Sequence, residues 1–343
     1  FGNNLVWNSG SAEGGLPVSG LKNETTFKTN VGVEANLFDR LYIELEAFYD
    51  REKDVLVSSS GAVSSVLGKS APMMNAGINE YYGTELSLNW TDVIGKDFRY
   101  YLRGNFSFLR TNIVEMNEEY KTEDYLKMTN RRIGQYSAMQ AIGFFEDDDD
   151  IKNCPQQTFS DVKPGDIKYK DLNGDNVVNG YDRTIIGNPE IPEIIYGFGG
   201  TLKYKKWDLS LFFQGVAKVS LMMSDIHPFS EAGHKGYNIA QYIVDDHWSE
   251  SNNVAGAAYP RLSPEFITNN AQTSTYYLRN AAFLRLKNAE LGYSFFPWLR
   301  VYAAGTNLLT FSPFSTWDPE MGSGNGLKYP LQRTAKIGIQ FHY

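Results

Sequence analysis

Apolar and polar residues alternate with period two along most of this chain. Leu41, Ile43, Leu45, Ala47 and Tyr49 interleave with Tyr42, Glu44, Glu46, Phe48 and Asp50. Tyr82, Thr84, Leu86, Leu88 and Trp90 interleave with Gly83, Glu85, Ser87, Asn89 and Thr91. Phe98, Tyr100, Leu102, Gly104, Phe106 and Phe108 interleave with Arg99, Tyr101, Arg103, Asn105 and Ser107. Trp207, Leu209, Leu211, Phe213 and Gly215 interleave with Asp208, Ser210, Phe212, Gln214 and Val216. Successive side chains of a strand point to opposite faces, so each run predicts a strand with one apolar and one polar face. The run from Leu284 to Phe295 changes phase near Lys287-Asn288, which predicts a bulge. The last ten residues, Thr334 to Tyr343, place Ile337, Ile339, Phe341 and Tyr343 on one face.

The connections alternate in length. Tight turns fall near 38–40, 92–97, 204–207 and 296–298. Long connections fall at 58–81, 111–192, 221–276 and 312–331. A soluble sandwich has no reason to gather its long loops at one end, whereas an outer-membrane β-barrel has short periplasmic turns and long extracellular loops. Counting back from Tyr343 as a periplasmic end puts every short turn on the periplasmic side. The expected fold is therefore all-β, an antiparallel transmembrane barrel, with Leu41, Leu45, Leu86, Leu88, Leu102, Leu209 and Leu211 toward lipid. Glu44, Glu85, Arg103, Asn105 and Gln214 should face the lumen. Roughly nine spanning strands are legible, with weaker stretches at 135–145 and 166–170. The large barrels have about 22 strands, so residues 1–343 are expected to form the C-terminal portion of one, its plug and N-terminal strands lying outside this chain.

Composition adjusts this picture little. Mean hydropathy is −0.38, and no apolar run approaches the ~20 residues of a membrane helix. A barrel tolerates both, because only alternate residues meet lipid. The 22 Tyr, 21 Phe and 6 Trp would furnish aromatic girdles. Cys154, the single cysteine, excludes an internal disulfide framework and a cysteine zinc site. A net charge of −8 argues against nucleic acid. No charged-then-apolar signal peptide stands at Phe1, so the expectation is either that it was removed or that this chain begins partway through a longer one.

The sharpest chemical motif is Asp171-Leu172-Asn173-Gly174-Asp175-Asn176-Val177-Val178-Asn179-Gly180-Tyr181-Asp182. A calcium loop of the EF-hand type supplies oxygens from positions 1, 3, 5, 7, 9 and 12. Here those are Asp171, Asn173, Asp175, the Val177 carbonyl, Asn179 and Asp182. Position 12 is Asp with a shorter arm than Glu, and position 6 is Asn176 rather than Gly. An ion-free network of Asx turns is the alternative. If Ca²⁺ binds, it would order a long loop. Glu146 and Asp147 to Asp150 form a run of carboxylates that reads as a solvated tip, with a second cation site as the alternative. Trp248 and Trp317 lie in long loops and are candidate substrate contacts, since aromatic faces stack on sugar rings; packing within the loops is the alternative. His227, His234 and His247 share a loop with Asp225, Asp245 and Asp246 but lack metal-ligand spacing. Gly197-Phe198-Gly199-Gly200 has no following Lys-Ser/Thr and is not expected to cradle phosphate. No nucleophile-base arrangement is legible, so the chain is not expected to be an enzyme.

Several stretches, in order, resemble the SusC/RagA family of TonB-dependent outer-membrane transporters. They are Leu21-Lys22-Asn23-Glu24-Thr25-Thr26 with Asn30-Val31-Gly32-Val33-Glu34 and Leu37-Phe38-Asp39, then Pro164-Gly165-Asp166-Ile167-Lys168-Tyr169-Lys170-Asp171. Asp182-Arg183-Thr184-Ile185-Ile186-Gly187-Asn188-Pro189 and Tyr259-Pro260-Arg261-Leu262 follow. The remaining stretches are Tyr277-Leu278-Arg279-Asn280, Leu284-Arg285-Leu286-Lys287-Asn288, Gly305-Thr306-Asn307-Leu308 and Trp317-Asp318-Pro319-Glu320. The resemblance implies a nutrient importer in the outer membrane of a Gram-negative bacterium, taking up an oligosaccharide or peptide. It further implies a plug within the barrel, a SusD-like surface lipoprotein as lid, and TonB as the source of force. A passive porin-like or structural barrel is the alternative function.

Overall fold

The computed structural model describes residues 18, 20–58, 66, 71–234, 237–252 and 256–341. Tyr343 and most of the 59–70 connection lie outside them. Nine strands form one antiparallel sheet in chain order. They are β1 (Thr25–Leu37), β2 (Leu41–Ser58), β3 (Met73–Ile94), β4 (Phe98–Glu115) and β5 (Ile194–Tyr204). β6 (Trp207–Ala217), β7 (Phe283–Phe296), β8 (Leu299–Phe311) and β9 (Thr334–Phe341) complete the order. The sheet is open, with β1 and β9 as its edges. No described helix is long and apolar enough to cross a membrane.

Cross-strand register sorts the side chains into two faces, because residues directly opposite share a face. Leu45 stands opposite Leu86, Leu86 opposite Phe106, and Phe106 opposite Tyr196. Leu41 faces Trp90, which faces Leu102; Leu209 and Leu211 continue the same face through Leu202 and Gly200. The other face holds Glu44, Ser87, Asn105, Gly197, Gln214 and Arg285 in one continuous row, with Glu85 and Arg103 beside it. Both expected sets thus fall on single, opposite faces. The bulge falls where the pattern breaks: Phe212 and Phe213 pair with Asn288 and Leu286, leaving Lys287 as the extra residue.

The apolar face does not make the core. The buried cluster is built from loop residues, among them Met139, Ile167, Tyr169, Val178, Leu221, Ile243, Tyr277 and Phe314. The sheet's apolar side chains stay open instead, with Ile337 83% exposed and Leu45, Leu102, Phe198 and Leu291 all exposed. Contiguous exposed apolar patches are rarely larger than a few hundred Å² on proteins surrounded by water, and larger ones mark contact surfaces or membrane. This face fits lipid.

Aromatics mark the rims of this face. Tyr204, Trp207 and Tyr293 stand in one row beside the short turns, and Phe296, Trp298 and Phe341 stack there. Toward the long loops the row is Tyr49, Tyr82 and Arg110. Tyr82 to Trp90 of β3 is nine residues, within the ~9–11 tilted residues with which a strand crosses a bilayer.

Two expectations are corrected. The connection predicted at 58–81 is shorter, because β3 begins at Met73, and β4 runs on to Glu115, past the expected break at 111. About 9–11 tilted residues cross a bilayer; β2, β3 and β4 have 18, 22 and 18. Their upper parts extend past the membrane-crossing length toward the loops, and Ile113 of β4 is buried there. The weaker stretches do form strands, Tyr136–Met139, Ala141–Phe144 and Ile167–Tyr169. They pair inside the loop cluster rather than joining the wall.

Leu86 lies midway between Tyr82 and Trp90 on the apolar face. Leu86→Arg is expected to cost about 2–4 kcal/mol of folding free energy in a bilayer. Ser87→Arg, one residue away on the polar face, should cost less than 1 kcal/mol. Equilibrium folding into vesicles measures both, and equal costs would mean the faces are assigned wrongly.

Candidate functional site

The described residues of the 116–193, 218–282 and 312–333 connections pack around one buried cluster, and buried ions fasten it. Asp166 is fully buried. Its carboxylate pairs with Arg261 (Nε to Oδ1, 2.9 Å) and accepts hydrogen bonds from Asn270 Nδ2 at 2.8 Å and the Lys163 N–H at 2.8 Å. Asn270 Oδ1 accepts from the Ile167 N–H, and Asn269 Nδ2 donates to the Ile167 carbonyl. Tyr277 OH donates to the Asn270 carbonyl. Burial pushes the Tyr277 hydroxyl well above its ordinary pKa, so it remains a donor. Gly165 adopts φ +87° with the Trp248 ring directly against it; a Cβ there would stand 2.4 Å from that ring. Three separate motifs, Pro164-Gly165-Asp166, Tyr259-Pro260-Arg261 and Tyr277-Leu278, thus meet in one network.

A second fastening rises from the polar face. Arg285, 2% exposed, reaches Asp318 Oδ1 at 2.6 Å and Glu320 Oε2 at 3.0 Å. Lys287 adds a longer contact to Glu320, 3.7 Å. Leu284-Arg285-Leu286-Lys287 and Trp317-Asp318-Pro319-Glu320 are therefore partners, and the 312–333 connection bends over the polar side of the sheet. A third brace is buried Glu193, which accepts from Arg110 Nε (3.0 Å) and Nη2 (2.9 Å) and pairs with Arg132 Nη1 (3.1 Å). Burial pushes the Glu193 carboxyl up, but the hydrogen bonds from Arg110 and Arg132 outweigh it and hold the pKa below the usual range. Near the short turns, Arg300 bonds Asp208 and Glu290 on the polar face.

The 171–182 loop is ordered by its own side chains. Asp171 accepts from the N–H groups of Gly174 (2.7 Å) and Asn176 (2.8 Å), Asn173 from Asp175, and Asp175 from Val177. Asn176 takes the left-handed conformation, φ +64°, which Asn tolerates. Asn179 accepts from Tyr181. Buried Asp182 ties the two ends together, accepting from Leu172 at 2.7 Å and Asn179 at 2.8 Å. Val177 and Val178 run parallel to Gln156 and Gln157, anchoring the far arm. All six expected positions are thus in one turn, donors are oxygen only, and each engaged carboxylate oxygen keeps a lone pair. That chemistry suits a hard cation. Among the described residues, however, no three His, Cys, Asp or Glu side chains converge as a metal-holding group, and the Asx-turn network accounts for the loop's order by itself.

The acidic run 146–150 has a local explanation. Asp147 caps a short helix, Asp148–Asn153, accepting from the N–H groups of Asp149 and Asp150; carboxylates favour a helix N-terminus. Asp150 also pairs with Lys168 at 2.5 Å. Gly197, Gly199 and Gly200 lie within β5, where a Cβ on Gly199 would stand 2.1 Å from the Leu211 carbonyl; they serve strand packing. Trp248 sits against the loop core, its buried Nε1 without an acceptor among the described residues. Trp317 packs edge-on to Phe314 and donates to the Gly322 carbonyl. Its ring also walls a cavity of about 470 Å³ with His227, Tyr237, Tyr242 and Leu327. The structure does not bring the two tryptophans into one pocket. The three buried ion braces escaped the sequence reading because their partners lie 95, 33 and 83 residues apart.

An open antiparallel sheet with one lipid-suited face, one polar face and a packed crown of loops at one end is a segment of the wall of an outer-membrane-type β-barrel. Comparison with known proteins agrees. The chain is 26% identical over 353 residues to TonB-dependent receptor P26 of Formosa agariphila, covering 92% of this chain and 34% of that protein. It is 24% identical over 350 residues to the TonB-dependent receptor SusC of Bacteroides thetaiotaomicron, covering 94% and 32%. Among solved structures it is similar to the RagAB peptide importer in its open-open state, with a TM-score of 0.67 and 23% identity over 94% of this chain and 35% of that one. No family model matches the sequence. The resemblance to SusC/RagA-type TonB-dependent transporters is thus borne out along nearly the whole chain, which spans about a third of the length of these relatives.

Proposed function

We propose that this chain forms part of the barrel wall of a TonB-dependent importer in the outer membrane of a Gram-negative bacterium. The observation that carries the reading is the two-faced sheet, whose apolar side is left open while the hydrophobic core lies in the loops. In this reading the open edges at β1 and β9 pair with further strands of a larger barrel, and a plug and the TonB contact come from residues outside this chain. Long loops face the exterior and short turns the periplasm. The polar face, with the Arg300–Asp208–Glu290 cluster and the row from Glu44 to Gln214, lines the lumen. A SusD-like lipoprotein would close the loop end, and the cargo would be a peptide or oligosaccharide nutrient; the solved neighbour RagAB is named a peptide importer. Of the two tryptophans, Trp317 borders an open cavity and is the better placed to touch cargo. Trp248 acts in packing. No enzymatic step is proposed.

The test is genetic. A strain lacking the gene is grown on a casein hydrolysate or on mixed oligosaccharides as the sole source, and the tagged protein is purified from the parent. Loss of growth on one of the two, and co-purification of a surface lipoprotein, support the reading. Unchanged growth on both, with the protein purified alone, would contradict it.

We also propose that the 171–182 loop takes Ca²⁺ through Asp171, Asn173, Asp175, the Val177 carbonyl, Asn179 and Asp182. The ion would add to an order the loop already has, so its affinity is expected in the weak 10⁻⁴–10⁻³ M class of extracellular sites. Adding EDTA should increase protease cleavage within 171–182 several-fold, and Asp171→Ala/Asp175→Ala should abolish that sensitivity to EDTA. Identical cleavage with and without EDTA would leave the Asx-turn network as the whole account.

A further inference from the structure

One cluster of charge lies on the wrong side of the wall for cargo. Arg110 is on the apolar face, in the row Tyr49, Tyr82, Arg110 that ends the lipid-suited band toward the loops. A cavity of about 520 Å³ opens beside it, lined by Tyr82, Arg110, Asn112, Arg131, Arg132 and Lys218 among others. The cations are held on a frame. Glu193 grips Arg110 and Arg132 from below, and Arg132 Nη1 also donates to Asn188 Oδ1 at 2.9 Å. Arg110 and Lys218 flank the Phe108 ring, 5.5 and 5.8 Å from its centroid. Phe108 belongs to the apolar face, paired with Thr84 and Ile194. The one carboxylate here engages two of the four cations, and among the described residues Arg131 and Lys218 have no acidic partner.

The strand residues Tyr82 and Arg110 that line this cavity stand on the face away from the lumen. At this height an outward-facing group meets the headgroups of the outer leaflet, the level marked by Tyr49 and Tyr82. Unpaired cations are costly in hydrocarbon but favourable where they meet anions. Guanidinium forks and an ammonium with amide donors beside them, Asn112 and Asn188, match the several oxygens and double charge of a phosphate.

We propose that this cavity binds the phosphorylated headgroup of an outer-leaflet lipid, which seats on Arg131 and Lys218 while Glu193 holds Arg110 and Arg132 in place. The inference rests on the reading that the apolar face meets lipid. It would add a fixed anchor at one point of the wall, beside the base of the 116–193 connection.

The test uses the complete polypeptide purified in mild detergent and native mass spectrometry, with diphosphorylated lipid A, dephosphorylated lipid A and inorganic phosphate as probes. Arg131→Gln/Lys218→Gln leaves the Glu193 brace intact, so the fold should survive, as heat-modifiable migration on gels will report. The parent should retain the diphosphorylated probe at least tenfold better than the dephosphorylated one, and the double variant should lose that preference. Inorganic phosphate at 10 mM should not displace the lipid. Equal retention of both lipids, an unchanged preference in a folded double variant, or full displacement by inorganic phosphate would overturn the lipid site. A protein that stays soluble and monodisperse without detergent would instead overturn the membrane reading beneath it, so the two failures are distinguishable.

Discussion

Asp166→Ala should loosen the loop crown while sparing the wall. The substitution leaves Arg261 buried without its counter-ion and removes the acceptor for Asn270 Nδ2 and the Lys163 N–H. Removing one partner of a buried ion pair costs about 3–5 kcal/mol, and unpaired buried donors add to that. The effect should be local, because the bonded partners of the Asp166 side chain among the described residues are Lys163, Arg261 and Asn270, all outside the sheet. Limited proteolysis is expected to cut within 140–170 and 258–275 at least tenfold faster, with heat-modifiable migration unchanged. Asp166→Asn keeps the shape and should still cost most of the effect, since the charge on Arg261 stays unmatched. Undiminished protection in both variants would show that apolar packing alone holds the crown.

Arg285→Met should free the 312–333 connection from the polar face. Among the described residues Arg285 makes the two short ion pairs to Asp318 and Glu320, with Lys287 at 3.7 Å a weak substitute. Met fills similar space but leaves two carboxylates facing each other at a partly buried site, again about 3–5 kcal/mol. Hydrogen exchange across 314–331 should rise by two orders of magnitude or more. Arg285→Lys keeps the charge but loses the fork that reaches both acids, so an intermediate rise is expected. Arg285→Met/Asp318→Asn/Glu320→Gln should recover much of the protection. Failure of that recovery would mean that Arg285 acts through packing rather than through its charge.

The sequence was most informative where lipid and water meet on opposite sides of one strand. Leu41 to Asp50 and Phe98 to Phe108 alternate because each second residue has a different solvent, and the register of the sheet follows from that. The break at Lys287 was legible for the same reason, since an extra residue reverses the alternation. Legibility ends where the alternating run is short. The upper part of β3, from Met73 to Asn79, alternates over only a few residues with Met74, Ala76 and Ile78, too short a run beside the 59–70 connection to stand out from loop. The crown was legible only as motifs in order. Asp166 and Arg261, or Arg285 and Asp318, are ordinary charged residues in one dimension, and nothing local shows that each is buried against the other. The 171–182 loop was legible as a set of oxygens. What those oxygens do is a matter of geometry: Asp182 is spent on closing the loop, a role that spacing alone does not distinguish from ligation. The cationic cavity drew no notice because Arg110, Arg131, Arg132 and Lys218 come from three separate segments.

The proposal that this wall belongs to an importer driven from the inner membrane, rather than to a passive pore, requires uptake to depend on TonB. It is tested most directly by uptake of the nutrient identified by the growth test, radiolabelled, in cells with and without a functional TonB protein. Import is predicted to fall to the level of the strain lacking the transporter when TonB is deleted, and to collapse within minutes of adding a protonophore. Uptake that continues at the parental rate without TonB would contradict the account and identify the barrel as a diffusion pore.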